Sequence, residues 1–197
     1  MDQLNEVAYF QTPVYMLKKP EFLESVNAVS ARYEGLEKNG RMMSGNFAYD
    51  AEIADFSQYV SQTAWNVLSS QGFAMDKMVT YFTEMWTQTH GRMSTMDSHV
   101  HPQSQINAFY FLDSPKDCSK LVIHDPRPGK VMSALPETNS TAVTPASSQI
   151  VFTPVAGTLV LMNAWLPHSL TKHLSDEPCR FVHMNISVAP APETEVV

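Results

Sequence analysis

Two imidazoles separated by one residue, in His99-Val100-His101-Pro102, are the chemically most specific feature of this sequence. Side chains alternate along an extended strand, so residues at i and i+2 share a face and both rings can converge on one point. Neutral imidazole is a good ligand for Fe, Zn, Ni and Cu. A third histidine, His168, follows the turn Pro154-Val155-Ala156-Gly157 and the apolar run that starts at Thr158. A strand, a short turn and then a histidine would return a ligand to the mouth of a barrel. Arg180 stands at the start of the next apolar run. Its guanidinium is always charged and forks toward carboxylates, so beside a metal it calls for an anionic ligand. The competing reading of Arg180 is a surface ion pair with Asp176 or Glu177. The isolated histidines His90, His124, His173 and His183 are read as structural.

The elements that must position these groups change character along the chain. Phe22, Val26, Val29, Tyr33 and Leu36 recur at helical spacing after Pro20, and Ile53, Phe56, Val60, Ala64 and Val67 do so before Gly72. Both sets predict helices packed on a sheet. Residues 38–50 between them read as a loop, with Gly40 and Gly45 as turn residues. From about residue 77 the period becomes two, with Val79, Tyr81, Thr83, Met85 and Thr87 alternating against Thr80, Phe82, Glu84, Trp86 and Gln88. Further strands are predicted over 105–112, 120–124, 149–154, 157–163, 168–174 and 180–188. The Pro-, Ser- and Thr-rich segment 125–148 is the longest irregular connection and a candidate lid or selectivity loop. The expectation is one domain over residues 1–197, with a helical buttress (1–76) and a β-barrel core (77–190).

Bulk properties narrow the function classes. The chain has 197 residues, 44% hydrophobic and 17% charged, which suits a folded globular domain with a sizeable core. A formal net charge of −7 argues against nucleic acid as a partner. The two cysteines, Cys118 and Cys179, form no disulfide framework. The opening MDQLNEVAYF lacks the basic and apolar segments of a signal peptide, and no run is long enough to span a membrane. These features predict a cytoplasmic protein (of the host cell, if phage-encoded) with no membrane partner. Nothing in the chain sets its oligomeric state, and a homo-oligomer is compatible with it.

In order and spacing, Trp86, His99-Val100-His101-Pro102, Asn107-Ala108-Phe109-Tyr110-Phe111, Asp125-Pro126-Arg127, the Pro154–Leu159 turn, His168 and Arg180 resemble the 2-oxoglutarate and Fe(II)-dependent oxygenase superfamily. More narrowly, the chain resembles a branch of small oxygenases common in marine phages and bacteria, over about residues 78–188. The resemblance implies a mainly β fold with N-terminal helices, built on a double-stranded β-helix (the jelly-roll or cupin-like barrel). It also implies that His99, His101 and His168 bind Fe(II), that Arg180 binds the distal carboxylate of 2-oxoglutarate, and that Tyr110 and Asn107 contact this cosubstrate. Two residues depart from the pattern. His101 stands where the superfamily's facial triad has its carboxylate. Either the site is a three-histidine one, which is the favoured reading, or Asp97 on the same strand face or Asp125 from a neighbouring strand supplies the carboxylate. Val182 stands where many relatives carry a serine.

The implied activity is that of a dioxygenase (a hydroxylase) coupling 2-oxoglutarate decarboxylation to oxidation of a small-molecule or peptidyl substrate, with Fe(II), 2-oxoglutarate and O2 as cofactor and cosubstrates. No catalytic side chain beyond the metal centre is implied. Two alternatives remain: a cupin-type metalloprotein that does not use 2-oxoglutarate, and a non-catalytic barrel serving in binding or in a virion.

Overall fold

Antiparallel pairing organises the chain into two sheets, seen in a computed structural model that describes residues 5, 8, 10–33, 35–38, 41–132 and 135–192. Among these residues the elements are β1 (Val14–Lys18), α1 (Leu23–Ser30), β2 (Leu36–Lys38), β3 (Arg41–Met43), α2 (Ala54–Ser70), β4 (Met78–His90), β5 (Met96–His99), β6 (Ile106–Asp113), β7 (Leu121–His124), β8 (Gln149–Phe152), β9 (Thr158–Asn163), β10 (His168–Leu170) and β11 (Cys179–Pro190). The larger sheet runs β1-β9-β6-β11-β4-β3-β2 and the smaller β5-β10-β7-β8. This is the double-stranded β-helix expected from the sequence. No helix among the described residues is long and apolar enough to cross a membrane.

Each face of the larger sheet buries a different cluster. On one face α2 lays down Phe56, Val60, Ala64, Val67 and Leu68 at helical spacing, against Ile106, Ala108, Tyr110, Leu112, Val182 and Met184. On the other face Phe109, Phe111, Val160, Met162 and Phe181 meet Leu121, Ile123, Leu166 and Leu170 inside the barrel. Central strands covered on both sides have no polar face, which is why β6 and β9 read as continuous apolar runs rather than alternating ones.

The N-terminal part departs from the expected helical buttress, because it contributes strands as well. β1 pairs with β9 (Val14↔Met162), and the β2–β3 hairpin extends the larger sheet from β4 (Met43↔Gln88). Strands of three to five residues carry too little alternation to announce themselves in a sequence. The first helix stops at Ser30, short of Tyr33 and Leu36. The Tyr33 hydroxyl donates to Asp50 at 2.9 Å, and Gly35 passes so close to Met43 that a Cβ would collide with the Met43 carbonyl. Gly40 and the tail beyond residue 192 lie outside the described residues.

The Pro154–Gly157 turn is a junction of the fold. Gly157 has φ +78°, its N–H donates to the Phe111 carbonyl at 2.8 Å, and its own carbonyl accepts from Lys19 N–H at 2.7 Å. A Cβ there would lie 2.8 Å from Pro20 Cα, so both backbone conformation and space require glycine. Gly157→Ala is expected to destabilise the fold by ~1–3 kcal/mol, measurable as a lower urea midpoint with an unchanged m-value.

Candidate metal centre

Three short segments bring the site together. His99 closes β5 and sits opposite His168 of β10, which is itself hydrogen-bonded to β7 on its other edge (His168↔Ile123). His101 lies just beyond β5, and its backbone N–H donates to the Ala164 carbonyl at 2.9 Å, tying the His-x-His segment to the connection that leads into His168. The ligand-capable nitrogens of His99, His101 and His168 all lie within 4.8 Å of one another. Among the described residues this is the group whose geometry could hold a metal ion.

Hydrogen bonds point the free nitrogens inward. His99 Nδ1 donates to the Asp97 carbonyl at 2.8 Å, and His168 Nδ1 donates to the Leu166 carbonyl at 3.0 Å. A carbonyl can only accept, so the proton sits on Nδ1 in both rings and Nε2 keeps its lone pair. The Nε2 atoms of His101 and His168 are buried with no partner. Buried nitrogens left unpaired beside one another are costly unless something occupies the space between them. The donor set fits a divalent cation.

Burial also keeps His101 and His168 neutral, the state that binds metal. Burial, then the neighbouring His99, lowers His101 from the ordinary 6.5 to about 4. Burial lowers His168 to about 3, against the opposing effect of the bond to the Leu166 carbonyl. His183, 1% exposed, is also held well below the ordinary value, by burial first and then by the three other rings.

The two alternative carboxylate ligands, Asp97 and Asp125, are not part of this group. Asp97 lines the adjoining cavity with an exposed side chain, and what it offers His99 is its backbone carbonyl. The Asp125 carboxylate pairs with Arg127 Nη2 at 2.6 Å and walls a separate cavity of about 390 Å³ together with residues 143–150. The 125–148 segment therefore borders that second cavity and does not line the one beside the histidines.

Two cosubstrate residues are placed differently from expectation. β11 alternates, with Phe181 and His183 inside the barrel and Val182 and Met184 against the helices. Arg180 belongs to the helical side. Its Nη1 donates to Asp113 at 2.9 Å and to Asn27 Oδ1 at 3.1 Å, and its Nη2 donates to Ser30 Oγ at 3.2 Å, joining α1 to the sheet. Tyr110 is on the same side, its hydroxyl donating to the Lys19 carbonyl at 2.6 Å and its ring against Phe56. Asn107 does face the interior, with Nδ2 3.1 Å from His183 Nε2.

His183 is the residue that sequence reasoning missed. Its ring centroid lies 4.8 Å from that of His101 and 4.3 Å from that of Trp86. Trp86, His99, His101 and His183 line one cavity of about 320 Å³, with Gln88, Met96 and Asp97. The usable signal was parity, since His183 shares a strand face with Phe181 and opposes Trp86 across the β4–β11 pair.

Comparison with known proteins agrees with this geometry. A family model described as "Putative 2OG-Fe(II) oxygenase" matches residues 84–185. No curated protein sequence matches the chain. Among solved structures, the chain is similar to a 2OG-Fe(II) oxygenase family oxidoreductase from Burkholderia pseudomallei (12% identity, TM-score 0.60, covering 88% of this chain and 84% of that one). It is also similar to a Pseudomonas putida prolyl-4-hydroxylase (12%, 0.60, 89% and 93%) and to HygX from Streptomyces hygroscopicus with nickel and 2-oxoglutarate bound (11%, 0.57, 93% and 85%). At these identities the structural likeness concerns the fold.

The depressed histidines fix a pH dependence. Unfolded imidazoles take up protons near about pH 6.5, whereas His101 and His168 stay neutral in the fold down to about 4 and about 3. The unfolded state therefore binds more protons in this window, and stability falls as pH falls. The metal-free protein is expected to lose thermal stability already between about pH 6.5 and 5, above the range where carboxylates titrate. A midpoint that stays flat across that interval contradicts the burial of these rings.

Proposed function

The chain belongs to the 2OG-Fe(II) oxygenase family, and from that premise we propose that it is a 2-oxoglutarate-dependent dioxygenase whose Fe(II) is held by His99, His101 and His168. The observation that carries the assignment is the convergence of three imidazoles, with two Nδ1 atoms engaged by backbone carbonyls and buried Nε2 atoms unpaired. When bound, Fe(II) supplies the redox chemistry that couples decarboxylation of 2-oxoglutarate to oxidation of a substrate.

The protein's own contribution is positional. The Asp97 and Leu166 carbonyls hold two ligand rings in one tautomer and one orientation. Phe109 packs edge-on against His168 and His183 and closes the barrel behind the ligands, which keeps water from reaching the site through the core. The cavity on the other side, beside His99 and His101, is the route by which ligands reach the metal. Family membership sets the substrate class no more finely than a small molecule or a peptidyl group, and the formal net charge of −7 is what argues against nucleic acid. The family match does not favour a cupin that dispenses with 2-oxoglutarate, or a barrel without catalysis.

Anaerobic addition of Fe(II) and 2-oxoglutarate is expected to produce a weak visible charge-transfer band, and admission of air to release succinate slowly without added substrate. His168→Ala should remove the band and weaken metal affinity by more than the ten- to hundredfold (roughly) typical of losing an outer-shell partner. Metal-loaded wild-type protein that neither shows the band nor forms succinate is not such an enzyme.

A further inference from the structure

The cavity beside the histidine triad contains two hydrogen-bond donors with nothing to donate to. Trp86 Nε1 and His183 Nδ1 are both buried and unpartnered. Indole N–H can only donate. The tautomer of His183 follows from its neighbour. Asn107 Nδ2 donates to the Met184 carbonyl at 3.2 Å and to Asn185 Oδ1 at 2.9 Å, and Asn185 is itself oriented by its bond to Glu84 at 3.1 Å. The amide nitrogen, not the oxygen, therefore faces His183 Nε2. That nitrogen cannot accept, and it has only two hydrogens to share among three acceptors, so a proton on Nε2 would have no acceptor and the proton sits on Nδ1. The two rings pack with centroids 4.3 Å apart, side by side on β4 and β11.

We propose that Trp86 Nε1–H and His183 Nδ1–H together receive a carboxylate of the bound 2-oxoglutarate, taking the role that Arg180 cannot fill from the helical side of the sheet. This assignment rests on the dioxygenase reading above and names the residues that position the cosubstrate. Two donors on rings packed side by side are as many as the oxygens of a carboxylate. Leaving either N–H buried and unmet is costly, so a ligand that meets both is selected over one that does not. Charge balance does not require a guanidinium in the cavity. Three neutral histidines leave the full double charge of a divalent metal uncompensated, whereas a ligand set with one carboxylate would halve it. A dianionic cosubstrate restores neutrality beside such a centre, and the protein then has only to supply direction.

The test uses the full chain loaded with Zn(II), which is diamagnetic and does not turn over. The three tryptophans give three indole N–H resonances in protein labelled with 15N-tryptophan. Titration with 2-oxoglutarate is expected to move that of Trp86 downfield. The Trp65 signal, whose N–H already donates to the Met78 carbonyl at 3.0 Å, and that of half-exposed Trp165 should stay in place. By calorimetry, Trp86→Phe and His183→Phe should each weaken 2-oxoglutarate binding roughly ten- to hundredfold, with Zn(II) affinity unchanged within about twofold. His183→Asn, whose amide nitrogen can stand where Nδ1 stood, should restore much of the loss. Arg180→Ala should lower the thermal midpoint and leave 2-oxoglutarate affinity unchanged. If 2-oxoglutarate binds while the Trp86 resonance stays put, or if Arg180→Ala is the variant that abolishes binding, this assignment is overturned and the dioxygenase reading stands. If the Zn(II) protein binds no 2-oxoglutarate, both fall.

Discussion

Everything at the site depends on β10 being hydrogen-bonded along both edges. A strand of three residues is too short to hold a position by itself, and here β5 and β7 clamp it from either side. That clamp sets His168 opposite His99, and the Ala164 carbonyl draws in His101. The same local device then aims two of the three rings, because in His99 and in His168 the Nδ1 proton goes to the carbonyl two residues earlier in the chain. Backbone geometry, which is nearly invariant, thus orients the two rings without help from outer carboxylates.

A second constraint is the parity of β11. This strand is paired on one edge with β4 over its whole length and on the other with β6, so it cannot slip by one residue without exchanging its two faces. Odd-numbered positions near the site face the barrel and even-numbered ones face the helices. Parity therefore separates Arg180 from His183 although they are close in sequence. The guanidinium becomes a tie between α1 and the sheet, through Asp113, Asn27 and Ser30, while the imidazole enters the cavity. Asp113 remains 47% exposed, so solvent screens this pair and its contribution is modest.

The electrostatic character of the site follows from both constraints. The chain carries a formal net charge of −7, yet two rings of the triad, His101 and His168, are held neutral by burial. Acidic side chains stay at the periphery, with Asp97 exposed and Asp125 paired to Arg127. A neutral pocket around a divalent cation is an attractive place for an anion even without a basic side chain.

Much of this was legible in the residues themselves. The period of two beyond residue 77 announced β4, the apolar runs announced β6 and β9, and the spacing of His99 and His101 announced a metal-capable pair. Those features are local, and local sequence carries them. The short strands β1, β2 and β3 left no trace, because three to five residues satisfy no pattern strong enough to detect. By itself the sequence determined which side chains are available: seven histidines with two of them at i and i+2, a turn that only Gly157 can make, and an arginine near the end of the barrel. Only the tertiary structure decided which of them meet, because the face a strand residue occupies is set by pairing with strands distant in the chain. That pairing sent Arg180 and Tyr110 to the helices and brought His183 and Trp86 to the cavity beside the histidines.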